Sequence, residues 1–128
     1  MRSLPFVIDE LNGGFMILEG ILRVEKGKLH IEFQKKDNLL GAYKSDLRAI
    51  EIELTELSMM EFKKGFFFNK LLLHSKRAAA FKDLPGDELT TRKLKIKRKH
   101  REIAANISSN VNLLLSEQRL NELKGDDE

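Results

Sequence analysis

The chain has 128 residues, of which 41% are hydrophobic and 34% charged, and this predicts one soluble globular domain with a single core. Its net charge is only +3 and it has no cysteine, so disulfides and thiol chemistry are excluded. No apolar run approaches the ~18 residues that cross a bilayer, and the N-terminal segment breaks at Pro5 before turning acidic. We therefore expect no export signal and a cytoplasmic location, with attachment at the membrane periphery as one hypothesis.

The first 14 residues are predicted to be an N-terminal extension. Pro5 and the turn Asn12-Gly13-Gly14 bracket a short apolar piece, Phe6-Val7-Ile8 with Leu11. We expect this piece to form a short helix packed on the core, and disorder is almost as well supported.

From Phe15 the hydrophobic period changes to two, which is typical of strands. A two-residue turn at Lys26-Gly27 would pair Val24 with Leu29 and would place the apolar residues of both strands on one face. The sequence therefore predicts a β-hairpin here.

The next segment, Lys36 to Ser45, has no period and is predicted to be a loop. Its apolar residues are expected to tuck back onto the core: Leu39, Leu40 and Tyr43. Arg48 to Lys63 then reads as extended chain. Because its inward positions shift from even to odd, we expect a bulge or kink near Thr55-Glu56.

Three consecutive phenylalanines, Phe66 to Phe68, follow a predicted turn at Lys63-Lys64-Gly65 and open a strand that is predicted to reach Lys76. Successive side chains on a strand point to opposite faces, so the three rings cannot all face the core. Aromatic rings beside lysines at a hairpin end suit a membrane interface or a partner. The favoured alternative has two rings in the core and one covered by the N-terminal extension.

Ala78 to Phe81 is predicted to be a short strand, and Leu84-Pro85-Gly86-Asp87 a turn. In the basic run that follows, Leu94 and Ile96 alternate with lysines, which places the lysines in an outward row with a spacing of roughly 6.5–7 Å. The candidate residues for an anion, a lipid or an acidic partner are Lys93, Lys95, Lys97, Arg98, Lys99 and Arg101. The favoured alternative is that the row is only solvated, or pairs with Glu51 and Glu53 on a neighbouring strand.

Residues 99–123 are predicted to form a helix, followed by an acidic tail at 124–128. Its apolar stripe recurs at helical spacing in Ile103, Ile107, Val111 and Leu114. Several leucines lie off that stripe, among them Leu113, Leu120 and Leu123. The candidate apolar interface comprises Phe66, Phe67, Phe68, Leu113 and Leu120.

Six or seven strands in meander order before one amphipathic helix resemble a pleckstrin-homology-like domain, and most closely its small bacterial versions. The matching features are the Lys26-Gly27 hairpin, the Lys63-Lys64-Gly65 turn before Leu71-Leu72-Leu73, the Pro85-Gly86 loop, the Lys93–Lys97 strand and Ala104-Ala105 in the helix. The resemblance implies a β-sandwich or partly open barrel of about seven antiparallel strands over residues 15–98, capped by the helix. It also implies a binding module that often self-associates.

The same resemblance weakens a lipid role. Phosphoinositide-binding members have a long first loop and a Lys-x-Arg pattern after it. Here the loop is only Lys26-Gly27, which is too short to surround a headgroup, and the pattern becomes Lys28-Leu29-His30, which lacks the second basic residue. The tryptophan that is usual in the closing helix of eukaryotic members is also missing.

Catalysis, metal binding and cofactor binding are not expected. His30, His74 and His100 are far apart in sequence, and none has a second ligand at metal-binding spacing. The sequence thus predicts a non-catalytic protein-interaction or self-association module, with peripheral binding to anionic membrane lipids through the basic strand as the alternative. Nucleic acid is not an expected partner, because no aromatic residues interleave with the basic run.

Overall fold

The computed structural model describes residues 2–11, 14–37, 45–86 and 88–126, and within them it contains seven strands and one long helix. The strands are β1 (Leu4–Leu11), β2 (Met16–Glu25), β3 (Lys28–Asp37), β4 (Arg48–Glu53), β5 (Leu57–Lys63), β6 (Asn69–Ser75) and β7 (Thr91–Ile96), and the helix is α1 (Arg101–Asp126). Short 3-10 turns cover Leu54–Glu56, Ala78–Phe81 and Arg98–His100. The prediction of a mostly β fold with one C-terminal helix is confirmed.

All seven strands belong to one antiparallel sheet with the order β4-β3-β2-β1-β7-β6-β5. The first strand therefore lies at the centre of the sheet. It pairs with β2 over most of its length but with β7 through a single residue pair, Val7 and Lys95. The sheet thus consists of a four-stranded half and a three-stranded half that meet at this narrow junction, and it does not close into a barrel.

The prediction of a helical or disordered N-terminal extension is wrong, because residues 4–11 form β1. Leu4 and Phe6 alternate with exposed or half-buried neighbours and lie in the core. Phe6 fits because Gly20 lies opposite it on β2, where a Cβ would stand 2.6 Å from the Phe6 ring. Pairing with β2 and β7 satisfies the backbone of a piece too short to be a stable helix.

The predicted hairpin between β2 and β3 is confirmed in detail. Val24 lies opposite Leu29, and the two turn residues Lys26 and Gly27 have φ values of 52° and 73°. Positive φ at both positions gives the turn twist that matches antiparallel strands. Because β1 precedes it, however, this is the second hairpin of the chain.

The predicted kink after β4 is confirmed as the 3-10 turn Leu54–Glu56, which separates β4 from β5. The predicted strand at Ala78–Phe81 is wrong, since this segment is a 3-10 turn that carries the buried Phe81 ring into the core. The expected contacts of Leu39, Leu40 and Tyr43 fall outside the described residues.

Helix α1 packs mainly on β5 and buries Ala104, Ile107, Ser108, Val111 and Leu115. Ile107 and Val111 confirm the predicted stripe, and Ile103 is half-buried. Leu114 was assigned to the wrong face, since it is 45% exposed. The buried face instead follows Ala104, Ser108, Val111 and Leu115, which recur at spacings of four, three and four residues. The helix also continues into the predicted acidic tail as far as Asp126.

Helix α1 also covers the edge of the sheet with hydrogen bonds. The side chain of Asn112 accepts from the Met60 amide at 2.9 Å and donates to the Met60 carbonyl at 2.8 Å. Arg119 donates to the carbonyl of Ser58 on the same strand. Since unpaired strand edges are templates for aggregation, these side chains protect β5.

Candidate functional site

The basic strand has the predicted alternation. Leu94 and Ile96 are buried, whereas Lys93 and Lys97 are exposed and Lys95 is partly covered. Lys95 forms an ion pair with Asp9 of β1, and Lys93 lies 3.9 Å from Glu88. The pairing with Asp9 was not predicted because Asp9 lies on β1, which was not predicted to be a strand.

The predicted pairing of this lysine row with Glu51 and Glu53 is wrong. Both glutamates lie on β4, whose paired neighbour in the sheet is β3, and there they contact Lys28 at 3.3 and 3.8 Å. The paired neighbours of β7 are β1 and β6.

The phenylalanine run lies in the loop between β5 and β6, so the strand predicted from Phe66 begins only at Asn69. Phe66 and Phe67 are 84% and 80% exposed, which overturns the favoured prediction of two core rings. Their rings pack edge to face, with centroids 4.8 Å apart and planes at 82°. We call these two residues the aromatic tip.

Phe68 behaves differently and folds back over the sheet. The ammonium of Lys95 lies 4.0 Å from the centre of its ring, and that of Lys70 lies 5.9 Å away. The ring lines a shallow pocket of about 180 Å³ together with Val7, Ile8 and Asp9 of β1. One phenylalanine therefore lies against the N-terminal segment, as predicted.

The conformation of the aromatic tip depends on Gly65 and Asn69. Asn69 is buried at the start of β6, and its side-chain oxygen accepts from the Gly65 amide at 3.4 Å. A Cβ on Gly65 would overlap the carbonyl oxygen of Phe68. The loop is therefore held in a shape that a larger residue at position 65 does not fit.

Three lysines lie side by side on β5, β6 and β7, and two of them flank the loop that carries the aromatic tip. Lys63 pairs with Lys70 as the last pair of the β5–β6 hairpin, and Lys70 pairs with Lys95 on β7. We call these three residues the cationic row. Like charges directly opposite one another on adjacent strands are destabilising, and the neighbouring acids are Glu61, 3.7 Å from Lys63, and Asp9 at Lys95. The register thus joins two candidate sites that the sequence analysis treated separately.

Next to the row lies a concavity of about 380 Å³, which we call the basic cleft. Its lining residues are Pro5, Phe6, Val7, Glu19, Gly20, Lys95, Lys97, Lys99 and His100. Within the described parts of the chain, Lys97 and Lys99 form no salt bridge, whereas Glu19 pairs with Lys36 at 2.5 Å. Of the predicted basic residues, Arg98 and Arg101 are exposed outside this lining.

The five residues of the predicted apolar interface do not form one surface. Leu113 and Leu120 are 58% and 57% exposed on α1. Leu120 follows Arg119, which reaches Ser58 near the start of β5, whereas the aromatic tip follows the opposite end of that strand. The helix leucines and the aromatic tip are therefore separate candidate surfaces.

One polar cluster was not foreseen. His74 lies between the Glu61 carboxylate and the Thr91 hydroxyl, each 3.1 Å from a ring nitrogen. The three residues come from three neighbouring strands, so the sheet register was needed to find them. We interpret them as a cross-strand hydrogen-bond network, since both ring nitrogens are engaged.

No group of three or more His, Asp or Glu side chains in the described segments is placed to hold a metal ion. No helix in the same part of the chain has the length and apolarity to span a membrane.

Comparisons with known proteins returned no match to a family model, to a curated protein or to a solved structure. The fold and the surface define a mostly β domain with one helix. Its β5–β6 end carries the cationic row and the exposed aromatic tip.

Proposed function

We propose that this protein is a non-catalytic binding module of the pleckstrin-homology-like kind that attaches peripherally to anionic membranes. The observation that carries the proposal is the aromatic tip standing on the cationic row. Phe66 and Phe67 are both at least 80% exposed, and the last cross-strand pair below them is Lys63 with Lys70. The seven-stranded layout followed by one helix supports the fold part of the proposal.

The energetics favour a membrane as the target. Each lysine near an anionic bilayer contributes about 1 kcal/mol. Lys70 contributes this in full, whereas Lys63 and Lys95 contribute less because Glu61 and Asp9 lie beside them. Transferring an exposed phenylalanine ring out of water contributes roughly 1.5–3 kcal/mol. The lysine contribution falls as salt screens the surface charge, whereas the ring contribution does not. Aromatic residues are also enriched at the level of the lipid headgroups.

Nucleic acid is the competing anionic partner, because two exposed rings and a run of lysines lie in the same half of the sheet. Base stacking, however, needs a free ring face. The edge-to-face contact between Phe66 and Phe67 places the edge of one ring against the face of the other. This contact covers only one of the four ring faces, so the membrane is preferred because aromatic residues are enriched at the level of the lipid headgroups, and not because of the ring geometry.

Co-sedimentation with vesicles of phosphatidylcholine containing phosphatidylserine tests the proposal. We expect the wild type to bind at low salt, to bind less at high salt, and to lose binding in Phe66→Ala/Phe67→Ala. Phe15→Ala is the matched control, because Phe15 is 58% exposed near the turn between β1 and β2. Wild type that stays in the supernatant at low salt refutes the proposal, as does a double variant that binds like the wild type.

A second candidate function is self-association through the outer face of α1. Leu113 and Leu120 are seven residues apart, about two helical turns, so they lie on one line of the helix with Leu123 one turn further. All three are more than half exposed. Light scattering over a range of concentrations tests this function. We expect a concentration-dependent mass, insensitive to salt, that falls in Leu120→Ser; a constant monomer mass excludes it.

A further inference from the structure

Phe68 differs from the two rings of the aromatic tip in its contacts. Whereas Phe66 and Phe67 are at least 80% exposed, Phe68 is half-buried against the sheet. The ammonium of Lys95 lies 4.0 Å from the centre of its ring, a distance at which a cation is attracted to a ring face. Asp9 pairs with the same ammonium. We call Phe68, Lys95 and Asp9 the clasp, because the lysine binds the ring and the carboxylate binds the lysine.

The clasp can open without unfolding of the sheet. The next residue, Asn69, is buried and pairs with Ile96 of β7, so β6 is anchored from that position onward. The ring itself is packed loosely, since a pocket of about 180 Å³ remains open beside it. Closely packed interiors leave few voids larger than a water molecule, so this ring loses few contacts when it leaves. Rotation about its side-chain bonds is therefore sufficient to open the clasp.

Water and a bilayer favour different positions of the ring. In water, a ring that leaves the lysine loses a cation–π contact, which shifts an equilibrium by roughly two- to fivefold at an exposed site. At a bilayer, transfer of the still exposed part of the ring out of water favours release by roughly three- to tenfold. The freed ammonium of Lys95 also faces the anionic surface, which adds up to about fivefold before its pairing with Asp9 is deducted. Together the two gains exceed the loss, so an anionic membrane favours the open clasp.

We infer that Phe68 is a third membrane-inserting ring, which the clasp holds on the sheet until the aromatic tip reaches an anionic bilayer. The inference rests on the proposed membrane attachment and adds a step to it: Phe66 and Phe67 insert first, and Phe68 follows as the clasp opens. The membrane shifts this equilibrium because it interacts differently with the two positions of the ring. In the free protein, the clasp limits the apolar surface exposed at this end of the sheet.

Tryptophan fluorescence follows the ring directly, because the chain has no tryptophan of its own. Phe68→Trp, Phe66→Trp and Phe15→Trp each introduce a single indole, in the clasp, on the aromatic tip and near the turn between β1 and β2. The vesicles contain phosphatidylserine and phosphatidylcholine with brominated acyl chains, which quench an indole that enters the bilayer. We expect quenching of Phe68→Trp and Phe66→Trp but not of Phe15→Trp. Quenching of Phe66→Trp alone overturns the inference and leaves the proposed function intact, whereas vesicle binding by none of the three overturns both.

Two further substitutions separate a ring that inserts from one that only shapes the loop. Leucine loses the cation–π contact but buries a similar apolar side chain, so Phe68→Leu should bind phosphatidylserine vesicles at least as tightly as the wild type. Phe68→Ala should bind roughly tenfold more weakly than Phe68→Leu, because it has little apolar surface to insert. Equal losses in both variants would show that the ring acts only by positioning the loop, and wild-type affinity in both would show that it has no part in binding. Either result overturns the inference.

Discussion

Replacing Asn112 by alanine tests whether the helix seals the sheet edge through hydrogen bonds. The substitution removes the acceptor of the Met60 amide and one of the donors to the Met60 carbonyl. Met60 is fully buried, so orphaning its N–H costs about 1–3 kcal/mol. The lost bond to the carbonyl adds about 1 kcal/mol, because the Ser108 hydroxyl, 3.4 Å away, still donates to it.

The expected loss of unfolding free energy is therefore about 2–4 kcal/mol, and each kcal/mol lowers Tm by roughly 3–5 °C in a chain of this size. Urea unfolding followed by circular dichroism measures the loss directly. Asn110→Ala is the matched control, since Asn110 is exposed on the same helix and alanine is the better helix former. If Asn112→Ala costs no more than Asn110→Ala, apolar packing alone holds the helix on β5 and the reasoning is wrong.

Three further substitutions test the sheet and the tip. Gly20→Ala should destabilise the fold by about 1–3 kcal/mol in urea unfolding, because the new Cβ would stand 2.6 Å from the Phe6 ring. An unchanged urea midpoint would show that β1 shifts to accommodate the methyl group without loss of stability. Gly65→Ala should weaken vesicle binding while lowering Tm only slightly, because the overlap with the Phe68 carbonyl reshapes the exposed loop. Unchanged vesicle affinity would mean that the shape of this loop does not matter for binding. Lys70→Gln should raise stability by about 0.2–1 kcal/mol at low salt, since Lys70 faces a lysine on both neighbouring strands. The same variant should bind anionic vesicles less well. A loss of both stability and binding would contradict the idea that repulsion among these lysines destabilises the free protein and is relieved at the membrane.

The alternation and turn patterns of the sequence predicted those elements whose formation depends on contacts between nearby residues. The hairpin at Lys26-Gly27 was predictable because a two-residue turn fixes its register. The first strand was not, because β7, the partner that places it at the centre of the sheet, is chosen by long-range pairing. Gly20 was the available signal, since glycine inside a strand marks a close approach by another element, and here that element is Phe6.

The candidate site was predictable in composition but not in arrangement. Alternation around Leu94 and Ile96 correctly set the direction of the β7 lysines. The run from Phe66 to Phe68 was predicted to open a strand because it follows the turn at Lys63-Lys64-Gly65. The loop length is instead set by the pairing of Lys63 with Lys70, and that register also builds the cationic row.

The junction of β1 and β7 has a consequence for synthesis of the chain. The two halves of the sheet cannot join until Lys95 has been synthesised, because Lys95 is the residue that pairs with Val7. The four-stranded half can assemble from neighbouring hairpins as the chain emerges, whereas the half that carries the tip and the helix docks last, and the basic cleft between the two halves forms only then. Contacts between such distant positions slow folding. Until then β1 presents an open edge to other nascent chains, so chaperone dependence should concentrate at this step.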